Sequence, residues 1–283
     1  MKDAVAILCA GGPAPGINTV ISSVTKIFNN NGFNVLGING GYKSLFSEEP
    51  AFEYLDFEYA DQIYSRGGSA LKMSRYKPKD EEFKTEFFKK YNVKLIVTIG
   101  GDDTASTANR LTKYLAKQKL DVKNIHVPKT IDNDLEKTVI TFGFDTAVSF
   151  ATECIDRLHA TARSHNRVMV VEVMGRYAGW IALNSGISSS ADVILIPEIP
   201  YNILRVAEAV ERKEKEGIRY SIVVIAEGAK PLGHFGAGGN PVRVDAVSGC
   251  CWIPACAGMT GSGYPGERQG MFPLMARMNV SCL

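Results

Sequence analysis

The sequence predicts an α/β protein built as two parallel-sheet lobes, and three observations carry that reading. The first is the near-continuous apolar run Ala-Val-Ala-Ile-Leu-Cys at residues 4–9, the pattern of a strand buried on both faces. The second is the return of one strand–turn–helix phrase at residues 94–117. The third is its continuation in the middle of the chain, where apolar runs at Arg167–Val173, Asp192–Ile196 and Tyr220–Ala226 are separated by segments of helical period. Each apolar run is short enough to be a strand, and glycines punctuate the joins.

After the first strand comes the turn Gly11-Gly12-Pro13-Ala14-Pro15-Gly16, and then Ile17, Val20, Ile21, Val24, Ile27 and Phe28 recur at helical spacing. In the second phrase Leu95-Ile96-Val97-Thr98-Ile99 runs into Gly100-Gly101-Asp102-Asp103-Thr104, and Ala105, Ala108, Leu111 and Leu115 mark a helix face. Ile125-His126-Val127 is a further strand candidate, leading into Pro128-Lys129-Thr130-Ile131-Asp132-Asn133-Asp134. A long helix is predicted over 141–164, with Ala147, Ala151, Cys154, Ile155, Leu158 and Ala162 on one side. Helices are also predicted near 176–187 and over 202–217, the last closed by Gly217. The expected division is a first lobe over 1–141, a second over 142–245, and a tail over 246–283.

Bulk composition removes several function classes. Lysine and arginine number 32 against 30 acidic side chains, a net +2 that argues against a nucleic-acid binder. No apolar stretch reaches the ~18 residues of a membrane helix, and the first thirty residues lack the charged start and apolar core of a signal peptide. Cys9 and Cys154 sit far apart in apolar surroundings, and the other four of the six cysteines crowd into 250–282. That usage points to reduced thiols and a cytoplasmic location.

The chemistry is concentrated in three turns. Gly11 to Gly16 lets the backbone approach a phosphate closely at a helix start, but it is neither a Rossmann fingerprint nor a P-loop and equally suits an ordinary structural turn. In Gly100–Thr104 two glycines precede Asp102, suited to magnesium or its waters, and Thr104, able to cap the helix or touch phosphate. An acidic N-cap turn is the plainer reading of that loop. Pro128–Asp134 is the most specific of the three. Lys129 supplies a point charge for phosphate oxygens, Asp132 can take the proton of an attacking hydroxyl, and Asp134 can help organise the site. Carboxylates alone would repel a polyphosphate, so a cation is implied and phosphoryl transfer is the expected chemistry.

These two carboxylate-bearing loops, together with Met174-Gly175-Arg176 and Ala226-Glu227-Gly228, resemble the 6-phosphofructokinase family from about residue 3 to about residue 230. The resemblance implies transfer of a phosphoryl group to the 1-hydroxyl of fructose 6-phosphate with Mg2+. It implies Asp132 as general base, Asp102 as the magnesium-side carboxylate, and Thr130 beside the transferring group. Gly11, Arg75, Asp103, Thr104 and Lys129 would face the phosphoryl donor. Thr130, Asp132, Asp134, Met174, Gly175, Arg176 and Glu227 would face the sugar phosphate, with Arg167 reaching a neighbouring subunit's site, which implies a homo-oligomer.

Two positions bear on the donor. The resemblance implies glycine at the place of Asp103 in ATP-using members, where a carboxylate would repel an α-phosphate. Lys129 is shared with some ATP-using members. Together they resemble the pyrophosphate-dependent branch, with an ATP-dependent enzyme as the alternative. Beyond residue 245 the family continues with a Leu-Gly-x-x-Gln-Arg-Gly-Gly segment and further helices, which this chain lacks. The tail is expected to be disordered and resembles a frameshifted or inserted sequence. A truncated, noncatalytic phosphate- or sugar-phosphate-binding remnant is therefore a second hypothesis. Metal ligation by Cys250, Cys251 and Cys256 is disfavoured, because no second ligand pair has suitable spacing.

Overall fold

The computed structural model describes residues 2–232 and the strand at 276–280. The chain divides into two compact units, Met1–Asp145 and Thr146–Leu283. In the first, β1 (Ala4–Cys9), β2 (Asn34–Ile38), β3 (Phe52–Leu55), β4 (Val93–Gly100), β5 (Lys123–Thr130) and β6 (Phe142–Gly143) form one sheet in the order β3-β2-β1-β4-β5-β6. All neighbours run parallel except the edge strand β3, which is antiparallel to β2.

Alternate residues of β1 enter two separate cores, as burial on both faces requires. Ala4, Ala6 and Leu8 pack with Leu111 and Leu115 of α5 (Asp102–Lys117) and with Phe87 and Phe88 of α4 (Glu86–Lys90). Val5, Ile7 and Cys9 pack with Ile17, Val20 and Ile21 of α1 (Ile17–Asn30) and Ile63 of α3 (Phe57–Ile63). The short helix α2 (Tyr42–Leu45) adds Tyr42 and Leu45 to the first core.

The second unit holds a four-stranded sheet in the order β10-β7-β9-β8, all parallel, from β7 (Val168–Val173), β8 (Val193–Leu195), β9 (Ser221–Ala226) and β10 (Ala276–Val280). Its helices are α6 (Phe144–His165), α7 (Trp180–Ser188) and α8 (Ile203–Lys215). The α/β class and its parallel sheets are as the sequence predicts.

Three boundaries differ, each for a local reason. The expected helix over 141–164 begins only at Phe144, because Thr141 Oγ1 donates to the Thr130 carbonyl at 2.6 Å and Phe142–Gly143 pair with β5. That pairing also carries the first unit four residues past the expected boundary at 141, to Asp145. The expected helix at 176–187 starts at Trp180, since Gly175 and Arg176 both have positive φ, 143° and 50°. Of the tail, where disorder is expected, Ala276–Val280 instead pairs with the otherwise open edge of β7, whose unpaired backbone groups favour added strands. The remainder of 246–283, including Cys250, Cys251 and Cys256, lies outside the described residues.

Candidate functional site

The sheet order of the first unit creates a crevice before any side chain is considered. From β1 the chain passes to β2 on one side, while β4 lies on the other, so the turns leaving β1 and β4 diverge. Such a switch point, outside the carboxyl ends of parallel strands, is where ligands bind in open α/β sheets. The Gly11–Gly16 turn follows β1, the Gly100–Thr104 turn follows β4, and Pro128–Thr130 ends β5 beside them.

Close packing dictates the glycines. A Cβ on Gly100 would lie 2.3 Å from Thr104 Oγ1 and 2.8 Å from the Ala10 carbonyl oxygen, so the two turns touch through a residue without a side chain. Gly11 and Gly16 have φ of 93° and 89°, and Gly16 is the N-cap of α1. Asp102 and Asp103 open α5, where the helix dipole favours their charge, and both are exposed. Thr104 is buried, and its carbonyl accepts from the Tyr42 hydroxyl at 3.2 Å.

Lys129 is the centre of this arrangement. Only 5% exposed, it carries its ammonium to the Gly12 carbonyl at 2.6 Å. A Cβ on Gly11 would sit 3.7 Å from Nζ, and one on Gly12 would sit 3.6 Å from the Arg75 guanidinium. Lys129 and Arg75 thus flank the two-glycine turn. Burial holds the Lys129 pKa below the ordinary lysine value, and the Arg75 charge acts in the same direction; Cys9 and Asp132 oppose it. Beneath it, burial pushes the Cys9 thiol up to about 12, so Cys9 is an inert core thiol. On the outer side Asp103 Oδ2 pairs with Lys77 Nζ at 2.6 Å.

The segment after β5 is fixed by Asn133 and Thr141, two residues to which the sequence reading assigns no role of their own. Asn133 takes the left-handed conformation at φ 54°, accepts from the Thr141 amide at 2.9 Å and donates to the Val139 carbonyl at 3.2 Å. The Asp132 amide donates to Thr130 Oγ1 at 3.2 Å. Thr130 and Asp132 are partly buried and Asp134 is exposed. His126, three residues before Lys129 on β5, lies with Nδ1 3.0 Å from Thr98 Oγ1, and burial lowers its pKa.

In the second unit the ends of β7 and β9 bring the two remaining motifs together. Glu227 Oε1 accepts the Arg176 amide at 2.9 Å, and the Glu227 amide donates to the Val173 carbonyl at 2.9 Å. A Cβ on Gly228 would fall 1.7 Å from the Arg176 carbonyl oxygen, and one on Gly175 would fall 2.4 Å from that of Ala178. Glu198, which carries no motif signal, accepts the Gly179 amide at 2.8 Å and secures the same turn. Arg167 is not part of this cluster: it precedes β7, at the opposite end of a strand about 20 Å long from Met174–Arg176.

Three comparisons bear on this geometry. The family described as Phosphofructokinase matches residues 4–238. An ATP-dependent 6-phosphofructokinase 2 of Clostridium perfringens is 46% identical over 244 residues, covering 80% of this chain and 64% of that protein. A pyrophosphate–fructose 6-phosphate 1-phosphotransferase of Amycolatopsis methanolica is 43% identical over 234 residues, covering 81% and 66%. Among solved structures, a pyrophosphate-dependent phosphofructokinase from Marinobacter aquaeolei superposes with a TM-score of 0.71 at 27% identity, covering 82% of this chain and 62% of that one. The chain therefore spans about two thirds of the length of the curated relatives it matches.

Proposed function

The chain belongs to the phosphofructokinase family, and from that premise we propose that it transfers a phosphoryl group from pyrophosphate to the 1-hydroxyl of fructose 6-phosphate. The observation that carries the donor half is the buried Lys129 ammonium at the Gly12 carbonyl, beside Arg75, at the sheet's switch point. Two cations and a glycine turn form a compact polyphosphate cradle.

Each residue then has a defined task. Lys129 and Arg75 neutralise donor phosphate oxygens, and the Gly11 turn and the start of α5 leave room for them. Asp132 takes the proton of the 1-hydroxyl as that oxygen bonds to phosphorus. The bridging P–O bond of pyrophosphate breaks, and inorganic phosphate leaves with its electron pair. Thr130 lines the transferring group. In the second unit Met174, Gly175, Arg176 and Glu227 carry the sugar-binding part of the reading.

Magnesium fits the donor set. Asp102 is an exposed carboxylate just after β4, its exposed neighbour Asp103 is paired with Lys77, and no group of three or more potential ligands occurs among the described residues. That pattern suits Mg2+ held mainly by phosphates with one carboxylate, rather than a protein cage. When bound, the ion supplies further neutralisation of donor charge.

Asp103 supports pyrophosphate over ATP. A carboxylate on the first turn of α5 opposes an α-phosphate, which pyrophosphate does not have. The ATP reading draws support from the Clostridium relative's name and from Lys77, whose ion pair offsets the Asp103 charge. Turnover of fructose 6-phosphate with each donor separates the two. Preference of the unmutated chain for ATP overturns the pyrophosphate assignment, and absence of turnover with retained pyrophosphate binding favours the noncatalytic remnant. We further expect a cytoplasmic homo-oligomer, as Arg167 implies; no helix among the described residues is long and apolar enough to cross a membrane.

A further inference from the structure

We propose that Asn18 is a positioning residue for the donor site, fastening the 64–75 segment to α1 so that the Arg75 guanidinium lies at Gly12. Asn18 is 3% exposed in the first turn of α1. Nδ2 donates to the carbonyls of Arg66 at 2.9 Å and Gly67 at 3.1 Å, while Oδ1 accepts the Ala70 amide at 2.8 Å. All three partners are main-chain groups about fifty residues away, on both limbs of one turn.

The apex of that turn has little else to define it, whereas Leu71 beyond it is buried in the second core and its carbonyl accepts the Gly40 amide at 2.9 Å. Residues 64–75 contain no helix or strand, only an isolated bridge between Ser74 and Ala10. Positions 67 and 68 at its apex have nothing within 4 Å of where a Cβ would stand. Backbone groups without a ladder must be met by side chains or water, and a buried amide that uses both its hydrogens and its oxygen meets three at once. Thr19 Oγ1 adds a fourth tie, donating to the Tyr64 carbonyl at 3.1 Å.

The segment ends where the donor site begins. The Gly11 amide donates to the Ser74 carbonyl at 3.0 Å, and Arg75 is the next residue. Asn18 holds one end of the segment and Gly11 the other, so the arginine departs from a fixed backbone. Arg75 itself is exposed, so the backbone it departs from sets the region that its guanidinium can reach. Misplacement by ~1 Å costs a positioned group much of its effect. This inference rests on the reading of Arg75 as a donor-phosphate ligand.

The test is a double-mutant cycle on the full 283-residue chain, with magnesium pyrophosphate binding read by titration calorimetry. Asn18→Ala should weaken binding about tenfold in the wild-type background and by less than about twofold when Arg75 is already alanine. Fructose 6-phosphate binding should change in neither background. Should Asn18→Ala fail to fold by thermal melting, Asn18→Ser keeps one hydroxyl in the same place and is read in the same two backgrounds. Equal losses with and without Arg75, or no loss in either, overturn the positioning role while leaving Arg75 as a ligand. If Arg75→Ala alone leaves pyrophosphate affinity unchanged, the reading of Arg75 falls and the inference falls with it.

Discussion

The Lys129 ammonium donates to the carbonyl of Gly12, a residue 117 positions earlier in the chain. This bond ties the end of β5 to the turn after β1 and holds a cation where the sheet opens. An ammonium so buried is costly unless satisfied, and one carbonyl leaves two of its three donors for a ligand.

Lys129→Met, which keeps the apolar stem and removes the charge, should weaken pyrophosphate binding by about 2–5 kcal/mol, the range for a lost buried charge partner. The pH dependence follows from the depressed pKa. Affinity for pyrophosphate should fall as pH rises through the folded-state value, below the 10.5 of an ordinary lysine. Stability of the free protein moves the other way: between the folded value and 10.5 the unfolded chain binds more protons, so this lysine's contribution rises with pH. Titration of binding at several pH values checks the first, and both pH responses should be absent in Lys129→Met.

Asp103→Gly should separate donor choice from stability. The Lys77–Asp103 pair is well exposed, at 62% and 69% for the two side chains, so its loss costs roughly 0–1 kcal/mol. Glycine in the first turn of α5 adds at most about 1 kcal/mol. The variant should therefore melt within about 8 °C of the parent, using ~2–4 °C per kcal/mol at this size, while its ATP-to-pyrophosphate rate ratio rises. A ratio unchanged in a folded variant would remove Asp103 from the donor argument.

Adjacent glycines 100 and 101 should respond differently to the same change. Gly100→Ala drives a methyl to 2.3 Å from Thr104 Oγ1 and 2.8 Å from a main-chain oxygen, which cannot yield cheaply. Overpacking of this kind costs about 1–3 kcal/mol. At Gly101 the nearest atom to a new Cβ is the Lys129 carbonyl oxygen at 3.8 Å, an ordinary contact. Denaturant midpoints should show a clear loss for the first and little for the second.

Legibility in the sequence followed the range of the interactions. The turns Gly100–Thr104 and Pro128–Asp134 are readable because each is contiguous and follows an apolar run, Leu95–Ile99 and Ile125–Val127. The short elements between 42 and 90 are not, since β3 is four residues and α2 is four, too brief to show a period. Nothing local marks Asn18 or Glu198, whose partners lie about fifty and about twenty residues away. The burial of Lys129 was equally hidden: a lysine in a polar loop reads as solvated until its strand is set beside β4 and the turn after β1. Residues 176–179 belong to the helix that the sequence predicts near 176–187 but lie outside the observed one, because Arg176, a left-handed non-glycine residue, has no sequence signature.

The second unit supplies a prediction that isolates its own motif. Glu227→Ala removes the carboxylate that accepts the Arg176 amide at 2.9 Å, and loss of a hydrogen bond to a charged group is worth about 1.5–3 kcal/mol. Fructose 6-phosphate affinity should therefore fall about tenfold or more, at 1.4 kcal/mol per decade. Gly228→Ala attacks the same turn from the other side, placing a methyl 1.7 Å from the Arg176 carbonyl oxygen, and should be at least as damaging. Pyrophosphate binding, assigned in the proposed function to residues from Gly11 to Asp132, should stay within about twofold in both variants, since residues without shared partners behave additively. Parallel calorimetric titrations with the two ligands check this. Equal loss of both ligands in variants that still melt cooperatively would mean that Glu227 and Gly228 serve the fold rather than the sugar-binding turn.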